Sequence, residues 1–379
     1  VRELSAHHPA IAKAVLSLYD RYKETHDSFY SLAGHFEGMP RNTLGENRLP
    51  TEEVNDLMQR CSNHFPDLEY AAEELRKDAG LKGEDIFPGL AAYLNKRFGI
   101  EVRILRHSVM DGVLRRFDRE NSVLYLSEVL RRGSRNFQIA HQVGLATQEA
   151  VFEKITRDET LTCDESRSLA RVALANYFAG ALILPYGDFL AAAEAEAYDI
   201  EKLGRRFGVG FETICHRLST LQRAEARGVP FFFVRVDRAG NISKRQSATD
   251  FHFSRVGGTC PLWNVYEAFA QPGRILTQVA QMPDGRTYLW VARTVGSGNA
   301  GFGVPGKTFA VGLGCDIRHA SRLVYSRGLD LNGPIAATPI GAGCKVCERP
   351  ACPQRAFPPI GRAIAIDENR STLAPYPVD

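Results

Sequence analysis

The segment GCKVCERPACPQRAF carries the spacing Cys344-x2-Cys347-x4-Cys352, and no other feature constrains the chain as strongly. Two cysteines separated by two residues turn both sulfurs toward one centre when the loop closes on itself. A third, flanked by Pro350 and Pro353, extends the same shell in a stiff loop. Four ligands need one more residue. Cys315, in GLGCDIRHA after an inferred strand, is the expected fourth, because Gly312 and Gly314 would let a bulky group approach the backbone closely. Cys260, in GGTCPLW, is the competitor, but it has no second cysteine nearby. Structural zinc sites usually pair two C-x2-C half-sites. A lone cysteine joined to a compact trio, with proline after the last ligand, looks more like a cluster-binding run. The expectation is a 4Fe-4S cluster on Cys315, Cys344, Cys347 and Cys352, with zinc as the alternative. His216 and His319 could substitute as ligands, although each reads more simply as a packed or surface histidine. Cys61, Cys163 and Cys215 show no ligand spacing and read as structural thiols.

Nothing else in the composition demands such a site. The chain has 379 residues, 44% hydrophobic and 24% charged, enough for two or three domains with full cores and no need of disulfide staples. A net charge of +3 neither requires a nucleic acid partner nor rules one out. No run approaches the ~18 apolar residues that span a bilayer, and no membrane association is expected. The most apolar stretch, 173–184, is interrupted by Asn176 and stopped by Pro185. The opening VRELSAHHPAI lacks the layout of a signal peptide. Eight cysteines without an export signal favour reduced thiols and a cytoplasmic protein.

Periodicity predicts an α/β (α+β) protein in three parts. Residues 1–80 read as a helical region with a long connection over 34–50. Residues 81–227 begin with a helix over 84–98, stopped at Gly99, then strands at 101–105 and 122–126. Two apolar helices follow, over 134–150 and 163–184, and RFGVGFETICHRLSTLQR looks like a surface helix with an apolar face. Near residue 227 the texture changes to strands. VPFFFVRV, DRAGN and ISKRQSA form one hairpin, RILTQVAQM and RTYLWVARTV around PDG another, and KTFAVGLG a fifth strand. Residues 228–379 should be a mixed-sheet sensor domain, of the GAF or PAS kind, carrying the cysteines.

The first apolar helix contains FQIAHQVGLATQ. Zinc peptidases place H-E-x-x-H on such a helix, because i and i+4 set both imidazoles on one face beside the Glu base. Here His141 matches, but Gln142 stands for the base and Leu145 for the second histidine. The next helix, VALANYFAGALILP, resembles the second signature of the ImmA/IrrE-type metallopeptidases, E-x-x-A-N-x-F-A-x-x-L-L-x-P. The family's third zinc ligand, its leading Glu, aligns with Val172. Water activation by this route is excluded, and no catalytic residue is expected. The cleft that remains should be lined by His141, Gln142, Leu145, Val172, Asn176 and Tyr177, apolar enough for an acyl chain.

Four longer stretches, ANYFAGALILPYGDF, RFGVGFETICHRLSTLQR, VDRAGNISKRQSATDFHFSRVGGTCPLW and CKVCERPACPQRAFPP, carry a further likeness over about residues 66–365. They resemble the actinobacterial short-chain fatty acyl-CoA-responsive transcription regulators of the PrpR/RamB type. The resemblance implies a regulator of propionate or acetate metabolism with an N-terminal helix-turn-helix for promoter DNA. It also implies a degenerate peptidase-like region, a C-terminal cysteine domain, and short-chain acyl-CoA, propionyl-CoA among others, as effector. It assigns the cluster to the same four cysteines, and a homo-oligomer is expected. The first 60 residues show no helix-turn-helix pattern, so the chain reads as the sensor part of such a regulator, trimmed of its DNA-binding part. Phosphates of the nucleotide need basic groups, for which Lys96, Arg97, Lys244 and Arg245 are the candidates. The competing readings are a structural zinc protein that binds partners, and an iron–sulfur or metallopeptidase enzyme.

Overall fold

The computed structural model describes residues 11, 14, 15, 49–81, 83, 85–247, 260–297, 306–331, 337–359 and 362–377. Expectations for residues 1–48, the missing helix-turn-helix included, lie almost wholly outside these. Residues 1–52 and 53–379 form separate compact units, and the architecture below is that of the second.

Its helices are α1 (Pro50–Arg60), which starts three residues before that unit, then α2 (Pro66–Asp78) and α3 (Phe87–Phe98). Proline stands in the first turn of α2 and α3, where its missing N–H costs nothing. Gly99, at φ 67°, closes α3 in the left-handed conformation that an L side chain resists. A three-stranded sheet follows, built from β1 (Glu101–Leu105), β2 (Arg115–Asp118) and β3 (Val123–Ser127), with the four-residue helix α4 (His107–Met110) between β1 and β2. β3 lies in the middle, parallel to β1 and antiparallel to β2. β2 is an unexpected strand, since RRFD has neither alternation nor β-branched residues.

Helices α5 (Arg132–Thr147), α6 (Glu149–Thr156), α7 (Asp164–Ile183) and α8 (Tyr186–Ala195) come next. α5 and α7 approach closely at Gly144, where an added Cβ would stand 2.9 Å from the Phe178 ring. The expected surface helix over residues 206–223 is instead two short ones, α9 (Ile200–Phe207) and α10 (Phe211–Leu218). Gly208, at φ 65°, ends the first, and the second turns Ile214, Cys215, Arg217 and Leu218 into the core.

Arg217 explains why that second helix is buried. Its guanidinium and the Glu69 carboxylate, 2% and 1% exposed, form two parallel bonds of 2.6 and 2.8 Å. Tyr177 Oη donates to the same carboxylate at 2.6 Å, and Arg217 Nε donates to the Leu184 carbonyl at 2.9 Å. Burial alone would push the Glu69 carboxyl up, but Arg217 and Tyr177 hold it below the usual range. One ion pair thereby ties α2, α7 and α10 together.

The C-terminal sheet contains β4 (Phe232–Val236), β5 (Ile242–Ser247), β6 (Leu276–Gln281), β7 (Thr287–Ser297), β8 (Lys307–Asp316) and the two-residue β9 (Thr338–Pro339). Its order is β5-β4-β8-β7-β6-β9. Both expected hairpins are antiparallel pairs, and KTFAVGLG is the central strand β8. Counting from β4, the order reads 2-1-5-4-3, as a GAF- or PAS-like sheet requires, with parallel β9 added at the edge. Alternation sends the two faces into two cores. Phe233, Leu289, Val291, Val311, Leu313 and Cys315 join the large core that runs back to the helices. Phe232, Val234, Tyr288, Trp290 and Ala310 face the other way, against Cys260, Trp263, Val265 and Ile340.

Candidate functional site

The cysteine loop packs on the second of these faces. Cys344, Cys347 and Cys352 line one narrow cleft with Cys260, Gly341, Gly343, Arg349 and Arg355. Gly341 is required there, since a Cβ on it would meet the Cys347 sulfur at 2.6 Å. Arg349 pins the loop to the sheet, donating to the carbonyls of Gln281 at 2.6 Å and Ile340 at 3.1 Å. The Ala356 N–H donates to Cys344 Sγ at 3.4 Å. The Cys260 sulfur is set against the backbone N–H groups of Leu262 and Gly341, near Cys347 and Cys352.

Arg355 supplies the charge. It is a buried cation that donates to the carbonyls of Cys344 (3.2 Å), Cys347 (3.3 Å) and Arg349, while its buried Nε has no partner. A guanidinium out of water calls for compensating negative charge. A thiolate-ligated group in this cleft would provide it, and sulfur donors are the kind that zinc or an iron–sulfur cluster takes. Among the described residues, no three His, Cys, Asp or Glu side chains converge as a single metal ion requires.

Cys315 is elsewhere. It occupies the helix-facing side of β8 in line with Val311 and Leu313, fully buried, and the sheet separates it from the face that carries Cys260 and Ile340. Burial, with Asp316 beside it, pushes its thiol up to about 12. The expectation that Cys315 joins the trio is thus corrected: Cys260, not Cys315, lines the cleft with Cys344, Cys347 and Cys352. Gly312 and Gly314 accommodate no cluster either. A Cβ on Gly312 would strike Val265 and Val234, and one on Gly314 would strike Trp290 and Phe232. The remaining candidates stand apart: His216 is packed against Phe233 with ring centroids 5.9 Å apart, and neither it nor half-buried His319 lines the cysteine cleft.

The degenerate peptidase residues do share one place. Gln142, Leu145 and Val172 line a cavity of about 580 Å³ with Ile100, Arg115 and Phe117. Beside it, His141 Nδ1 lies 2.8 Å from Asn176 Oδ1. Burial, then the nearby Arg115 guanidinium, push the imidazole down to about 4, although Asn176 opposes this. His141 is therefore neutral at pH 7. Tyr177 does not join them, because one residue along α7 rotates the side chain by about 100°, toward Glu69 on α2.

The proposed phosphate-binding residues are not brought together. Lys96 and Arg97 are exposed on the last turn of α3 and do not line the cavity of Gln142. Lys244 and Arg245 lie on edge strand β5 of the other sheet. Burial pushes Lys244 down to about 8, with Glu212 opposing and Arg235 assisting. Arg115, at the cavity, carries no recognisable motif and was not foreseeable from spacing.

Fold and sites together define a peptidase-like helical scaffold that lacks the base and two of the three zinc-binding side chains, continued into a mixed-sheet domain with a four-cysteine cleft. Comparison with known proteins places it further. Residues 95–219 match the IrrE N-terminal-like domain, and residues 220–376 match the C-terminal region of the short-chain fatty acyl coenzyme A regulators. The chain is 50% identical to the HTH-type transcriptional regulator RamB of Mycobacterium tuberculosis, over 99% of its own length and 79% of that protein. It is 47% identical to the HTH-type transcriptional regulator PrpR of the same organism, over 99% of this chain and 77% of PrpR. Identity to the propionyl-CoA carboxylase regulator of Cereibacter sphaeroides is 42%, over all of this chain and 79% of that protein. A solved structure of a Mycobacterium tuberculosis transcriptional regulator is similar with a TM-score of 0.84 at 53% identity, covering 87% of this chain and 100% of that one. The chain belongs to the short-chain fatty acyl-CoA regulator family of transcription regulators. No single described helix is long and apolar enough to cross a membrane.

Proposed function

We propose that this chain is the sensing part of a cytoplasmic transcription regulator of short-chain fatty acid metabolism. Acyl-CoA is its effector, and a 4Fe-4S cluster is held by Cys260, Cys344, Cys347 and Cys352. The observation that carries the cluster reading is the buried Arg355, with an unpartnered Nε, at a cleft lined by four cysteines. When bound, the cluster would supply an iron- and oxidation-sensitive cross-link between the cysteine loop and the segment before α11 (Asn264–Glu267). Cys260 precedes that short helix, Gly341 and Arg349 fix the loop against β6, and Arg355 balances the charge. The spacing of the trio favours iron–sulfur over zinc.

Promoter DNA would be engaged through a helix-turn-helix outside this sequence, as the names of the HTH-type relatives suggest, and the regulator would act as a homo-oligomer. The effector acts by binding one of two states more tightly, which shifts their populations. The missing peptidase side chains support a binding role over hydrolysis. A short acyl group should therefore be felt directly. Burying the two carbons beyond the carbonyl of a propionyl group contributes ~0.8 kcal/mol each, so propionyl-CoA should bind about tenfold more tightly than free CoA. Isothermal calorimetry on anaerobically purified protein measures both. Equal affinities, or no heat from either, would remove acyl-CoA as effector.

A further inference from the structure

The cavity over the degenerate peptidase helices has kept a positive charge where the zinc ligands were lost. Arg115, on β2, lines it with its Nη1 buried and without a hydrogen-bond partner. Burial pushes this guanidinium down to about 10. Arg119 and Arg171 line the same cavity, with Gln142 and Ser168 as neutral polar groups. Among the described lining residues the one acid, Glu149, is taken up by Arg171 at 3.2 Å. His141, 3% exposed, leaves its Nε2 without a partner as well. The rest of the lining is apolar, Leu145 and Val172 among it.

A half-buried cation with a buried, unused donor is costly unless a ligand or water takes it up. A cavity of about 580 Å³ has the size of a small-molecule site. Nothing in this arrangement can activate water, since the base and two zinc ligands are gone. What it offers is a donor set for charged oxygen beside an apolar wall.

We propose that this cavity is a second ligand site, which takes a small organic oxyanion with its carboxylate or phosphate on Arg115 and its carbon body against Leu145 and Val172. In it, a guanidinium replaces the metal as the electrophilic centre of the old peptidase cleft, and the bidentate fork of Arg115 selects planar or tetrahedral oxyanions. Gln142, where a peptidase has its glutamate base, leaves the anion unrepelled. The site stands apart from the cysteine cleft, and it does not depend on acyl-CoA being the effector.

The two sources of such an oxygen, a free fatty carboxylate and the phosphates of a nucleotide, are separated by titrating the whole chain at pH 7 with butyrate in one arm and with CoA in the other. At least one probe should bind saturably, and Arg115→Gln should weaken that binding by about tenfold or more, as loss of a charged hydrogen bond requires. Gln142→Glu, which places a like charge on the cavity wall, should weaken it similarly. Loss in the butyrate arm alone identifies a carboxylate site, and loss in the CoA arm identifies a phosphate site. Should either variant fold poorly by thermal melting, the imidazole nitrogen signals of His141 in the unmodified protein give the same answer, because a bound anion beside Arg115 must shift them. The proposal is overturned if neither probe binds, if affinity survives both substitutions unchanged, or if the His141 signals stay fixed at saturation. Acyl-CoA binding that persists while neither butyrate nor CoA depends on Arg115 would leave the effector reading intact and remove only this site.

Discussion

Replacing Arg217 by methionine is expected to cost about 3–5 kcal/mol of stability, because it strands the Glu69 carboxylate in the core. The aliphatic part of the side chain is roughly kept, so little of the loss comes from packing. What disappears is both parallel bonds to Glu69, the bond to the Leu184 carbonyl, and the contact with the Tyr186 ring. The double variant Glu69→Leu with Arg217→Met removes both charges together. It should regain much of the loss, since burying an ion pair offers little over well-packed apolar groups. Urea denaturation of the three proteins measures this, and a double variant no better than the single one would show that the pair does more than satisfy itself. The sign of the pH dependence follows from Glu69. Its folded-state carboxyl is held below the unfolded value of about 4.3, so the pair stabilises fully above that range. This contribution is lost as pH falls through the folded value, and the Arg217→Met protein should lack that share of the acid dependence.

The second large effect concerns the cysteines. Cys260→Ser should strip the bound metal, whereas Cys315→Ser should leave it in place. Cys260 lines the cleft with the trio, and Cys315 is on the opposite side of a six-stranded sheet. Serine at position 315 has a separate penalty, since it puts a hydroxyl among Val311, Leu313 and Leu289 with no partner in sight, at a cost of about 1–3 kcal/mol. The two substitutions therefore separate cleanly. One keeps the fold's core and loses metal, while the other keeps the metal and melts earlier. Metal content after gel filtration and thermal unfolding, read on the same preparations, decide between them, and the reverse pattern would restore Cys315 as ligand.

Much of this architecture is legible in the residues, and the failures have physical causes. The hairpins β4–β5 and β6–β7 are announced by period-two apolar residues around DRAGN and PDG, signals that need no tertiary knowledge. β2 is not announced, because RRFD pairs on an otherwise ordinary strand edge and gains its order from β3. The break at Gly208 was written in the Gly-Val-Gly of RFGVGF, but the apolar run that follows reads as a continued face.

The choice of Cys315 over Cys260 shows the same limit at the site. Proximity to a strand end looks favourable until parity is counted. Val311, Leu313 and Cys315 share the bulky, core-facing side of β8, whereas Gly312 and Gly314 are small because Trp290 and Phe232 press on them. That parity was a usable signal. Cys260, by contrast, reaches the cleft through a fold of the chain that no local spacing encodes. His141, Gln142, Leu145 and Val172 were found because a motif spaced them, and Arg115 was missed because a cation on a short strand has no motif. Lys96 and Arg97 have motif-free charge of the same kind and remain on the surface.

The claim that most needs testing is that the cysteine cleft holds iron and sulfide. Anaerobically purified protein should be brown, with a broad absorbance in the visible range, and chemical analysis should find iron and acid-labile sulfide in equal amounts at one 4Fe-4S complement per chain. Cys260→Ser should abolish both. A colourless protein carrying stoichiometric zinc, or no metal at all with the fold intact, would contradict the assignment.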